Sequence, residues 1–189
     1  MKLLEIRHFD PNTTSQLPTV VMGTDSSIAI GHKPVFLPEI SEQWALEISP
    51  AYRICRLGKT ISQRFASRYY DVMTLAARVI PTDLTQRLCD EGQSPLSPLA
   101  TAFDSAISVG EWIEPKAEFS LELISPTQHE PIAVKSVIDS AIAYISKTFI
   151  VKNGDIIMAG GPIIRIPVKI GDRVIASVDG SEILAFNIK

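Results

Sequence analysis

The last third of the chain reads FIVKNGDIIMAG from Phe149 to Gly160 and VKIGDRVIASVDGSEILAFNI from Val168 to Ile188. Short apolar runs rich in Ile and Val are separated by Asn153-Gly154, Gly171-Asp172 and Asp179-Gly180. Asn-Gly and Asp-Gly pairs tolerate the positive φ that tight hairpin turns require. β-branched runs suit a pleated, half-buried surface. The stretch therefore predicts hairpins, with Lys152 to Asp155 at one tip, and Phe119 to Ile124 adds a further strand. The fold class expected is mainly β with a few helices (α+β), a β-rich sheet or barrel with the helices packed outside it.

Outward from that stretch, Lys2 to Pro38 alternates short apolar runs with Asp, Gly, Ser and Pro, a pattern of brief strands and turns. Ser62 to Val79 places Phe65, Tyr69, Val72, Met73, Ala76 and Val79 three and four residues apart, which predicts an amphipathic helix capped by Ser62. Ser136 to Phe149 predicts a second helix, with a stripe of Val137, Ile138, Ala141, Ile142 and Ile145 and a capping signal from Ser136 to Asp139. Asp90 to Pro98 reads as loop.

A chain of 189 residues can bury a core without staples. With 46% hydrophobic and 21% charged residues it falls in the globular range rather than the disordered or membrane classes. The net charge of -3 leaves no basic surplus to neutralise a phosphate backbone or an anionic membrane, so neither nucleic acid nor membrane is an expected partner. No apolar run approaches the ~20 residues needed to span a bilayer, and the charges in Met1 to Asn12 are unlike a signal peptide. A cytoplasmic location is expected. Cys55 and Cys89 offer no CxxC spacing for zinc or redox chemistry and read as idle thiols.

Three blocks carry a resemblance: RICRLGKTISQRFASRYYD (Arg53 to Asp71), TAFD with GEWI (Thr101 to Ile113), and IAYISKTFIVKNGDIIMAGGP followed by PVKIGDRV (Ile142 to Val174). In order and approximate spacing the chain resembles the fumarylacetoacetate hydrolase family. The resemblance implies a shortened N-terminal segment, residues 1–21, before a domain of residues 22–189. It also implies a divalent cation, Mg or Mn, held by carboxylates and acting as a Lewis acid on 2-oxo or β-diketo acids.

At the positions the resemblance assigns to that metal, the sequence departs from the pattern. The Glu-x-Glu pair reads Glu47-Ile48-Ser49, and Arg78 stands where an Asp is implied. Arginine cannot deprotonate to become a ligand, so no metal is expected to bind in the family's manner and the expected cofactor is none. The substrate-cleft positions implied are Thr101, Asp104, Gly160 and Gly161, but lysine and threonine donors of the pattern are missing there, and Asp83 and Asp104 also read as plain turn residues. Gly160-Gly161-Pro162 could form an anion nest and reads more simply as a turn. His8, His32 and His129 lie far apart and read as surface residues, and the arginines between Arg53 and Arg68 as a solvated face.

The reading that follows is a divergent family member without metal-dependent catalysis, acting as a binding or assembly partner and expected to be a homodimer. The alternative is a hydrolase, isomerase or decarboxylase of altered mechanism on a 2-oxo or β-diketo acid, with an anionic small molecule as its partner. If the two strands keep the implied placement, Glu47 and Arg78 should form a direct ion pair, with Ser49 Oγ close enough to join it.

Overall fold

The computed structural model describes residues 1–13 and 17–189. Its longest strands, β4 (Trp44–Ile54) and β5 (Tyr70–Pro81), pair antiparallel in a register that sets Glu47 opposite Arg78 and Ser49 opposite Ala76. Strands β1 (Leu3–Arg7), β2 (Thr19–Gly23), β3 (Ile28–Ile30), β6 (Ile107–Val109), β9 (Ile156–Gly161) and β10 (Ile164–Val168) complete an eight-stranded sheet. Its order is β2-β1-β9-β4-β5-β6-β3, with β10 on β4, and it curls into a half-barrel. Strands β7 (Glu118–Ser125), β8 (His129–Lys135), β11 (Arg173–Val178) and β12 (Ser181–Asn187) form a second, antiparallel sheet in the order β12-β11-β7-β8. The β-rich architecture is the one expected, and a boundary at Met22 would fall inside β2, whose partner β1 lies within the large sheet between β2 and β9.

The expected helix from Ser62 to Val79 is a correction. Only Gln63–Arg68 is helical, as a 3-10 turn, and the rest is β5. The physical reason lies in its burial. Met73, Leu75, Ala77 and Val79 pack against the second sheet, while Thr74, Ala76 and Arg78 turn into the half-barrel, so both faces are buried. A strand buried on both faces is nearly continuously apolar, and its residues satisfy three- and four-residue spacings by chance. The second expected helix is present as α3 (Ile138–Ile145), burying Ile138, Ala141, Ile142 and Ile145. Helices α1 (Thr82–Asp90) and α2 (Pro98–Thr101) flank the expected loop, and Leu84, Leu88 and Ala100 make a small satellite core.

Of the three turn pairs, Asp179-Gly180 closes a tight hairpin between β11 and β12, with φ of 50° and 79°. Asn153-Gly154 instead lies between α3 and β9, and Gly171-Asp172 carries the chain from β10 to β11, strands of different sheets that do not pair. Gly160 is not a plain turn either. It lies in β9 with φ of 81°, where the register with β1 skips from Ala159 to Gly161, a β-bulge.

Candidate functional site

Side chains alternate across β4 and β5, so Glu47, Ser49 and Arg78 all face the inside of the half-barrel. There they meet Glu5 and Arg7 from β1 and Arg165 from β10. Glu47, Arg78 and Glu5 are fully buried, Arg7 nearly so, and only Arg165 reaches solvent.

The expected Glu47–Arg78 ion pair is a correction. Arg78 Nε donates to Glu5 Oε2 at 2.6 Å, and its Nη1 donates to the Thr101 carbonyl. Arg7 Nη2 donates to Glu47 Oε2 at 2.6 Å, and Arg165 Nη1 donates to Glu47 Oε1 at 2.8 Å. Arg7 Nη1 lies 3.8 Å from Glu5 Oε1. The result is an alternating chain, Arg78–Glu5–Arg7–Glu47–Arg165. The cause is the second buried carboxylate: had Arg78 turned to Glu47, Glu5 would keep only the looser Arg7 contact, and an underpaired buried charge is costly. Ser49 does not join the network. Its Oγ has no hydrogen-bond partner, and a Cβ placed on Gly161 would fall 2.1 Å from it, so the Gly161 backbone packs directly on Ser49.

These groups do not suit a divalent cation. Hard cations want several carboxylate, carbonyl or water oxygens, whereas both Glu47 oxygens are already held by guanidinium groups. Three guanidiniums against two carboxylates leave the cluster one charge positive, which repels a further cation. No group of three or more His, Cys, Asp or Glu side chains suited to a metal occurs among the described residues.

The other sequence candidates scatter. Thr101 enters the cluster through its carbonyl, while its hydroxyl donates to the Ser97 carbonyl at 3.0 Å. Asp104 is exposed and apart from the cluster. Asp83 anchors the start of α1: the Ser41 hydroxyl donates to it and holds its carboxyl below the usual range, helped by the Glu42 amide at 3.1 Å. His8 is exposed with φ of 56°. His32 contacts the Ala185 carbonyl through Nδ1 at 2.9 Å and Glu111 Oε1 through Nε2 at 3.1 Å, and these contacts, Glu111 first, raise its pKa. Sequence reasoning missed Glu5, Arg7 and Arg165. The available signal was the alternation in LLEIR and IRIPV, where charged residues interleave with Leu4, Ile6, Ile164 and Ile166 of the core.

The model of the family described as fumarylacetoacetate (FAA) hydrolase C-terminal matches residues 3–188. No curated protein matches the sequence. Among solved structures, the chain is similar to fumarylpyruvate hydrolase from Pseudomonas aeruginosa in complex with Mn2+ and pyruvate, at 16% identity and a TM-score of 0.85, covering 100% of this chain and 89% of that one. It is similar to 2-hydroxyhepta-2,4-diene-1,7-dioate isomerase from Mycobacterium marinum, at 21% identity and a TM-score of 0.80, covering 99% and 73%. It is also similar to 5-carboxymethyl-2-hydroxymuconate delta-isomerase from Mycobacterium smegmatis, at 19% identity and a TM-score of 0.82, covering 99% and 76%.

Proposed function

This chain belongs to the fumarylacetoacetate hydrolase family, and from that premise we propose that it works without the family's metal-dependent catalysis, as a binding or assembly partner. One observation carries the reading: both oxygens of Glu47, the carboxylate that the resemblance assigns to the metal, are hydrogen-bonded to arginines. Metal binding there would have to break two charge-assisted bonds and bring a dication into a cluster already one charge positive.

On this reading the ion-paired chain occupies the position of the metal, and the functional surface lies outside it. Phe36 and Ile170, at 60% and 67% exposure, are apolar residues available to a partner, a second copy of this chain among them. We place the protein in the cytoplasm as a homodimer, in keeping with the free thiols of Cys55 and Cys89. A second reading draws on Arg165, which extends from the buried cluster to solvent and could hold a 2-oxo acid carboxylate for chemistry of altered mechanism. One coupled assay separates the two. Purified protein with added Mg2+ or Mn2+ is tested for pyruvate release from acylpyruvates and from oxaloacetate. The first reading expects no turnover above buffer; turnover insensitive to chelation and lost in Arg165→Ala supports the second; turnover abolished by chelation overturns both.

A further inference from the structure

The cations between Arg53 and Arg68, expected to form a solvated face, are gathered with exposed apolar side chains. Gly58 and Val151 form an antiparallel bridge in which each amide donates to the other's carbonyl at 2.9 Å. Val151 is buried in the core, and a Cβ on Gly58 would collide with the Tyr69 and Ile61 side chains. Because side chains alternate, the residues flanking the bridge point the other way, to solvent. Leu57 and Ile150 are 69% and 49% exposed there, with Lys152 across from Leu57 and Lys59 across from Ile150. The 3-10 turn Gln63–Arg68 is tied to the same loop: the Cys55 amide donates to the Tyr69 carbonyl at 2.8 Å, and the Cys55 thiol to the Arg68 carbonyl at 3.7 Å. On that turn the guanidiniums of Arg64 and Arg68 lie over the exposed Phe65 ring, 4.5 and 4.9 Å from its centre.

The charge of this face is uncompensated. Arg53 is paired with Asp71, but Arg56, Lys59, Arg64, Arg68 and Lys152 make no ion pair among the described residues. Residues 54–70 and 145–153 contain no acid, in a chain whose net charge is -3, so the face is cationic against the sign of the rest. Guanidiniums hold carboxylates by two parallel hydrogen bonds, and stacking on Phe65 orders two of these forks before a partner arrives, which lowers the entropy cost of docking. Leu57 and Ile150 call for apolar side chains that a small anion lacks, and arginine beside aromatic and aliphatic groups is the composition of protein interfaces. The acidic remainder of the surface opposes a phosphate backbone or an anionic membrane.

We propose that this face docks an acidic segment of a partner protein, one in which carboxylates flank leucine or phenylalanine side chains. The inference rests on the reading of the chain as a binding partner and names where and what it binds. A fluorescein-labelled peptide, Gly-Asp-Glu-Leu-Glu-Glu-Phe-Asp, is the probe, titrated with the purified chain and followed by fluorescence anisotropy. The expected result is saturable binding that weakens with added salt, is at least about tenfold weaker in Arg64→Ser/Arg68→Ser, and is reduced in Leu57→Ser/Ile150→Ser. Lys33→Ser/Lys169→Ser removes two exposed cations elsewhere and should bind as the wild type does. No binding, equal binding of the peptide with Asn and Gln in place of its acids, or an equal loss in Lys33→Ser/Lys169→Ser would overturn the proposal. So would a dimer in sedimentation velocity that Arg64→Ser/Arg68→Ser dissociates, since a second copy would then cover the face. Co-sedimentation with phosphatidylserine vesicles, lost in the same variant, would overturn it in favour of a lipid surface. A negative peptide titration leaves the binding-partner reading standing, because that reading falls to chelation-sensitive turnover in the coupled assay.

Discussion

The two faces of the β4–β5 pair are both buried, yet they are built from opposite materials. Toward the second sheet stand Leu46, Ile48, Tyr52, Leu75, Ala77 and Val79, an apolar surface with no charge to satisfy. Toward the half-barrel stand Glu47 and Arg78, which join Glu5, Arg7 and Arg165 in the alternating chain. The first face is held by area and packing, where losses at separate sites add. The second is held by mutual satisfaction: each charged group is tolerable only while its neighbour is present. Deletions on the first face should therefore act independently, whereas each deletion on the second also strands a neighbour.

The largest expected effect comes from breaking the chain at its most buried point. Arg78→Ala, or Glu5→Ala, should each destabilise by roughly 3–5 kcal/mol, because the surviving partner stays buried and underpaired. The Glu5→Ala/Arg78→Ala double variant should lose clearly less than the sum, as read by denaturant unfolding. The same cycle between Glu47 and Arg78 should show weaker coupling. Stronger coupling for Glu47 and Arg78 would restore the direct pair that the sequence suggested.

On the apolar face, Leu75→Ala should cost about 2–5 kcal/mol through lost transfer energy and a cavity. No change at Arg78 or Glu5 should rescue it, since Leu75 stands on the opposite face of β5 from Arg78. Rescue would show that the faces are energetically one core. Next in size is Gly161→Ala, whose methyl group would meet Ser49 Oγ at 2.1 Å and Ser49 Cβ at 2.7 Å. We expect a loss of about 1–3 kcal/mol from overpacking, partly recovered by Ser49→Gly. An unaffected melting temperature in Gly161→Ala would mean that the contact yields freely.

The smallest effect lies at the surface, at His32. Its contacts with Glu111 and the Ala185 carbonyl raise its folded pKa above the ordinary 6.5. A pKa raised on folding contributes stability that is fully present below the unfolded value and fades as pH rises through the folded one. Stability of the wild type should therefore decline slightly as pH rises from 6.5, relative to His32→Gln. Thermal unfolding of both proteins across that range checks the sign, and a parallel pair of curves would remove the assignment.

The β-rich fold was legible because Asp179-Gly180 and the Ile and Val runs around it are local signals, and local chemistry alone dictates that hairpin. Strand β5 was not legible, because burial on both faces erases the two-residue alternation by which a strand is recognised. At the site, the resemblance singled out Glu47, Ser49 and Arg78, and in the β4–β5 register Glu47 stands opposite Arg78 with Ser49 two residues along the same strand. Their partners could not. Arg165 stands opposite Glu47 in the β4–β10 pairing and Glu5 reaches Arg78 from β1, and no spacing along the chain encodes these long-range meetings.

The claim that arginines have taken the place of a metal at Glu47 is tested most directly by titrating the purified protein with Mn2+ and following free Mn2+ by electron paramagnetic resonance. The account predicts that the free-ion signal rises in proportion to added Mn2+ from the first addition, as in buffer, and is the same for Glu47→Gln. Stoichiometric loss of the signal, abolished in Glu47→Gln, would contradict it.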